Sequence, residues 1–158
     1  MNMSRFAWLI FSLVIWQSVS LTTSVRAQSP VLETVVVEDV TAEWMPVTLS
    51  ATFTNPVVVC SVFQLTADVP KVVRLNNVSA AGFDIRLQNP NDDALEVERV
   101  YCLVAEEGAW TLPNGALFEA FTHTSVETGG SMQWGAEEIA YAQSYANPMV
   151  FGQVMSFN

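Results

Sequence analysis

The feature that most constrains this chain is a period of two. In 47–53 ("VTLSATF") Val47, Leu49, Ala51 and Phe53 alternate with Thr48, Ser50 and Thr52, and in 83–88 ("FDIRLQ") Phe83, Ile85 and Leu87 alternate with Asp84, Arg86 and Gln88. Successive side chains of an extended chain leave on opposite faces, so each run predicts a strand with one buried and one wet face. The runs "VVVCSVFQ" and "VYCLVA" are apolar on both faces, as in a strand covered from both sides. Turn chemistry separates them: Asn55-Pro56, "NPNDD" at 89–93 and "PNG" at 113–115 combine a preset proline dihedral with residues that tolerate positive φ. No stretch after residue 27 shows a helical period, so the expectation is an all-β antiparallel sandwich or barrel. In "LEVERVYCLV" the apolar phase shifts between Val97 and Val100, which fits either a β-bulge near Glu98 and Arg99 or a strand that begins at Val100.

The pattern is also written twice. Phe53, Asn55, Pro56 and Val58 recur as Tyr145, Asn147, Pro148 and Val150; upstream, Trp44 answers Trp134, and "VED" at Val37 answers "FEA" at Phe118, with Glu38 facing Glu119. The second copy is longer upstream, chiefly in the glycine-bearing stretch Thr122 to Gln133. Acidic residue, tryptophan, alternating strand, aromatic and Asn-Pro in one order make an internal repeat. The first copy, 33–114, holds six or more strand candidates, and the second, 116–158, holds only the first three. Three strands without partners leave open edges and an uncovered apolar face.

The first 27 residues predict a secretory signal peptide: a positively charged start, the 11-residue apolar run Phe6 to Trp16, and "SVRA" ending at Ala27. As a helix that run rises only about 16 Å, roughly half a bilayer core, so it predicts export with cleavage rather than an anchor, and no membrane insertion afterwards. Cleavage removes Arg5 and Arg26 but none of the 16 acids, leaving Lys71, Arg74, Arg86 and Arg99. Such an acidic surface repels phosphate backbones and excludes nucleic acid as a partner. In an oxidising compartment Cys60 and Cys102 predict a disulfide that stabilises the fold by roughly 3 to 4 kcal/mol; the alternative is two small buried hydrophobes. Two thiols and the only histidine, His123, fall short of a zinc set, so no metal and no cofactor is expected.

Three blocks, "WMPVTLSATFTNPVVV", "VVRLNNVSAAGFDIRLQ" and "VERVYCLVAEEGAW", resemble in order those of the H-type lectin-like domain, especially its tandem form in exported bacterial proteins. The match covers about Val37 to Leu112 and, in the second copy, Leu117 onward. The resemblance implies a six-stranded antiparallel β-sandwich, followed here by the first strands of a second similar unit. It further implies binding of galactose-type sugars, and self-association into a homo-oligomer.

Three residues are carbohydrate-binding candidates. Arg74 is a sugar or subunit contact, or a strand arginine paired with an acid. The family's ligand aromatic falls at Tyr101 or at Cys102, and a one-residue slip swaps faces. Trp110, in "EEGAWTLPNG", is an exposed stacking indole or a cap over the end of the sandwich. Trp44 and Trp134 read as core or interface anchors, and His123 as a solvated loop residue.

The expected function is therefore a secreted carbohydrate-binding or adhesion module, extracellular, periplasmic or at the cell surface, with a glycan as partner. The alternative is a structural or protein-interaction repeat that has lost its sugar site. No G-x-S-x-G or H-E-x-x-H occurs, so no enzyme is expected.

Overall fold

The computed structural model describes residues 30–63, 69–91, 93–125 and 137–155; the expected signal peptide and Trp134 lie outside them. Among the described residues every regular element is a strand: β1 (Leu32–Val40), β2 (Met45–Thr48), β3 (Pro56–Phe63), β4 (Val72–Ser79), β5 (Gly82–Gln88), β6 (Glu98–Glu106), β7 (Gly108–Thr111) and β8 (Leu117–Ala120). They pair in two three-stranded antiparallel sheets, β1-β6-β3 and β2-β5-β4, and a small β7-β8 sheet.

The two larger sheets share one core, as a β-sandwich does. One side supplies Val58, Val100 and Val104 and the other Leu75, Phe83, Ile85 and Leu87, all 4 % exposed or less. Burying each of these side chains stabilises the fold by about 1.5 to 3 kcal/mol. The alternation expected of 83–88 is present in β5, with Asp84, Arg86 and Gln88 half-exposed. In 47–53 the inward positions hold, but the strand itself stops at Thr48, and Leu49 and Phe53 are buried from the connection to β3. Gly82 lies where β5 passes under β2: a Cβ there would stand 2.1 Å from the Val47 carbonyl oxygen, so any side chain pushes β2 away.

Cys60 and Cys102 face each other across β3 and β6, with Cα atoms 4.1 Å apart, and form the expected disulfide. The expected bulge is located elsewhere. β6 begins at Glu98, and the register slips on β1, between Val37 and Val40, where Asp39 adopts φ 54°. Glu98 accounts for the broken apolar phase: it points inward, 1 % exposed, and binds Lys71, whose side chain is equally buried. A carboxylate takes a core position because an ammonium 27 residues away follows it there.

The joins between elements are held by side chains acting as backbone partners. Asn89 Oδ1 accepts from Asn91 N (2.7 Å), and in the β7-β8 turn Asn114 Oδ1 accepts from Ala116 N (3.0 Å) while Gly115 adopts φ 82°. Glu33, at the start of β1, accepts from Ser50 N and Ala51 N at 2.8–3.0 Å and so ties one sheet to the link crossing from the other. These hydrogen bonds hold its carboxyl below the usual range.

Candidate functional site

The three sequence candidates occupy three separate places. Arg74 lies on the outer face of β2-β5-β4, opposite Arg86, with its Nε donating to Gln88 Oε1 at 2.7 Å. Its partner is an amide rather than an acid. Tyr101 lies on the outer face of the other sheet, edge-on to Phe63 with ring centroids 6.2 Å apart, while Cys102 points into the core. Trp110 belongs to β7, a stretch the sequence presents as loop; its indole folds back over Gly108 and donates to the Glu106 carbonyl at 3.3 Å. Gly108 has φ 142° and a Cβ there would lie 3.1 Å from the indole, so glycine is needed for this fold-back.

A different group of residues is brought together around Arg74. Strand pairing places three rows on the outer face of β2-β5-β4: Pro46, Asp84 and Asn76; then Arg86 and Arg74, which Trp44, the residue before β2, joins by contact; then Gln88 and Val72. The Arg86 guanidinium carbon stands 4.7 Å from the centroid of the Trp44 ring, a cation–π contact, and the indole remains 40 % exposed. Trp44, Asn76, Arg86 and Met155 line an open cleft of about 440 Å³. Asn77, at φ 50°, donates from Nδ2 to Asp84 Oδ2 at 2.6 Å and fixes the lower edge of the face.

This cleft has chemical variety in a small area: an aromatic face, a planar cation that stacks on it, a side-chain amide with both donor and acceptor, and a thioether. The charge distribution is also uneven. Two of the four basic residues beyond residue 27 sit side by side here, while Lys71 is consumed by Glu98 and Arg99 by Glu38, at 2.7 Å. The Glu38 carboxylate, followed by the Tyr101 hydroxyl, raises the affinity of Arg99 for its proton.

Trp44 and Arg86 are absent from the sequence candidates. Trp44 reads there as a core or interface anchor because it recurs at a strand entrance, and its contact with Arg86 appears only once β2, which it enters, lies beside β5. The available signal is the outward set Asp84, Arg86 and Gln88, since polar residues on a wet face become a site only when a neighbouring strand adds an aromatic.

His123 is not alone in its loop. Its Nε2 lies 3.1 Å from Glu137 Oε1, and Glu137, which also accepts from Ser125, is held below the usual carboxylate range by the Ser125 hydroxyl first and the imidazole second. Among the described residues no three His, Cys, Asp or Glu side chains gather as a metal set, and no helix is long and apolar enough to cross a membrane. When the chain was compared with protein-family models, curated proteins and solved structures, nothing matched.

Proposed function

We propose that this protein is an exported, non-catalytic carbohydrate-binding module of H-type lectin kind, and that sugar is taken at the Trp44–Arg86 cleft. The observation that carries the reading is the exposed indole stacked on Arg86, with Asn76 at one side and Arg74–Gln88 at the other. A pyranose presents an apolar C–H face and a rim of hydroxyls. An indole takes the first, and amides and guanidiniums take the second without needing a titrating group. Arg74, one row from the cleft, keeps a role in fixing Gln88; Tyr101 and Trp110 have none in this site.

A second reading, a protein-interaction repeat, rests on the opposite outer face. There Val36, Phe63, Tyr101 and Leu103 are exposed together on β1-β6-β3. A glycan array probed with the chain from Gln28 onward separates the two. The lectin reading expects binding to one sugar class that falls about tenfold or more in Trp44→Ala and Arg86→Ala and is unchanged in Trp110→Ala. Silence across the array overturns it, and loss in Trp110→Ala alone moves the site to β7.

A further inference from the structure

One side chain fastens the segment 147–155 to the sandwich. Among the described residues β3 and β4 are edge strands of their sheets. Cys60 faces Cys102 with Cα atoms 4.1 Å apart, the close spacing of a non-hydrogen-bonded antiparallel pair, so its amide turns away from β6. Gln153 meets it there: Cys60 N donates to Gln153 Oε1 at 3.3 Å, and Gln153 Nε2 donates to the Val73 carbonyl of β4 at 2.9 Å. One amide thus reaches an edge of each sheet. The same Nε2 donates to the Val154 carbonyl at 3.1 Å, which fixes the peptide leading into Met155. Met155 is delivered in this way to the cleft, where it stands with Trp44, Leu75, Asn76 and Arg86 and is 40 % exposed.

The rest of the hold is slight. Met149, Val150 and Phe151 before Gln153 are 82, 66 and 71 % exposed, Val154 after it is 64 % exposed, and 147–155 belongs to no strand. Hydrogen bonds that replace bonds to water add little net stability each, and a segment with few buried apolar contacts opens at low free-energy cost.

We propose, on the sugar reading of this cleft, that 153–155 is a movable wall of the site, and that ligand binding and the docking of Gln153 reinforce each other. With Met155 in place the cleft still offers about 440 Å³, within the roughly 300 to 1,000 Å³ of ligand sites, so the thioether is a wall and not a plug. Its unbranched, polarizable side chain adapts to the shape it meets. A ligand that touches Met155 binds the docked arrangement more tightly than the open one. By linkage it then favours docking by the same factor by which docking raises its affinity.

Galactose and N-acetylgalactosamine are titrated by calorimetry into the chain from Gln28 and into Gln153→Ala and Met155→Ser, with the Met155 methyl signal and Cys60 amide exchange followed by NMR. The parent is expected to bind saturably, with a shifted Met155 methyl and a Cys60 amide that exchanges about fivefold more slowly when sugar is bound. Gln153→Ala binds about fivefold more weakly and exchanges Cys60 faster even without sugar. Met155→Ser also weakens binding but keeps the parent's Cys60 exchange in the free protein, because its anchor is intact; Met155→Leu restores the affinity. A single cooperative thermal transition in each variant shows that it folds. Parent affinity in Gln153→Ala, tighter binding in either variant, or a Met155 methyl that bound sugar leaves unmoved overturns the coupling and leaves the sugar site standing. No saturable binding of either sugar also overturns the coupling, whereas the sugar site itself fails only on silence across the whole array.

Discussion

The same words, Asn-Pro followed by apolar residues, open the paired strand β3 at Pro56–Phe63 and an exposed stretch outside any strand at 147–154. Hydrophobicity does not separate them, since Met149, Val150 and Phe151 are as apolar as Val57, Val58 and Val59. What separates them is what arrives from elsewhere. The first repeat receives a central strand, a carboxylate at the entrance, a covalent bridge and a buried ion pair; the second is held by side chains alone, by Glu119, Tyr145 and Gln143 at its approach and by Gln153, which donates to the Val73 carbonyl at 2.9 Å and accepts from Cys60 N at 3.3 Å. Burial belongs to the pair of strands, not to either alone.

The largest test of this difference is the ion pair. Glu98→Gln leaves Lys71 charged in a dry core and should cost about 3 to 5 kcal/mol, whereas Glu98→Leu with Lys71→Met should be near neutral or stabilising. Urea unfolding of both variants checks it. Equal losses in the two would show that the charges contribute more than their desolvation costs. Next comes the bridge: Cys60→Ala with Cys102→Ala opens a closed loop of 42 residues and should cost roughly 3 to 4 kcal/mol, all of it in the first repeat. Amide exchange resolves where the loss falls, and faster exchange confined to 137–155 would contradict the contrast drawn between the repeats.

These two features also mark how far the sequence could be read. The facing of Phe83, Ile85 and Leu87 is legible because a period of two is a local property and β5 is central in its sheet. The Cys60–Cys102 pair is legible because two cysteines in a chain read as exported allow one pairing. The bulge is misplaced by the same local logic: Glu98 looks like a phase error until Lys71 is seen beside it, and the register slip falls on the opposite strand, at Asp39. The cleft fails for a related reason. Asn76 and Arg86 come from two strands and Trp44 from the link that enters a third, and the strand order that joins them is written in no one segment. Between the two similar stretches the correspondence of acids differs from the one the sequence suggests: Glu119 answers Glu33 by what it holds, not Glu38. The separations from carboxylate to amide are 17 and 23 residues, so the second copy has gained six residues between these points.

A smaller effect belongs to the entrance. Glu106→Gln replaces a carboxylate that satisfies two amides with a group offering one acceptor and one donor, and should cost about 1 to 2 kcal/mol. The site-specific mark is faster exchange of the Thr54 and Asn55 amides, with β4 and β5 unchanged. A uniform loss across both sheets would mean that Glu106 supports the fold at large instead of the entrance.

The smallest test sets Glu33 against its counterpart by pH. The folded protein holds the Glu33 carboxyl below its ordinary 4.5 through the Ala51 and Ser50 amides. A depressed carboxylate contributes stability that is complete above the unfolded value and is lost as pH falls through the folded one. The gap in melting temperature between the parent and Glu33→Gln should therefore be constant above about pH 5 and close progressively below 4.5, because the parent loses there what the variant never had. Glu119→Gln should show no such gap in the transition of the first repeat at any pH, since Glu119 grips only Ala142 and Tyr145 of the second. A gap that widened on acidification would reverse the sign of the Glu33 shift. A matching gap in Glu119→Gln would mean that the two repeats melt as one unit, and that the exposed stretch at 147–155 is stabilised by the sandwich it follows.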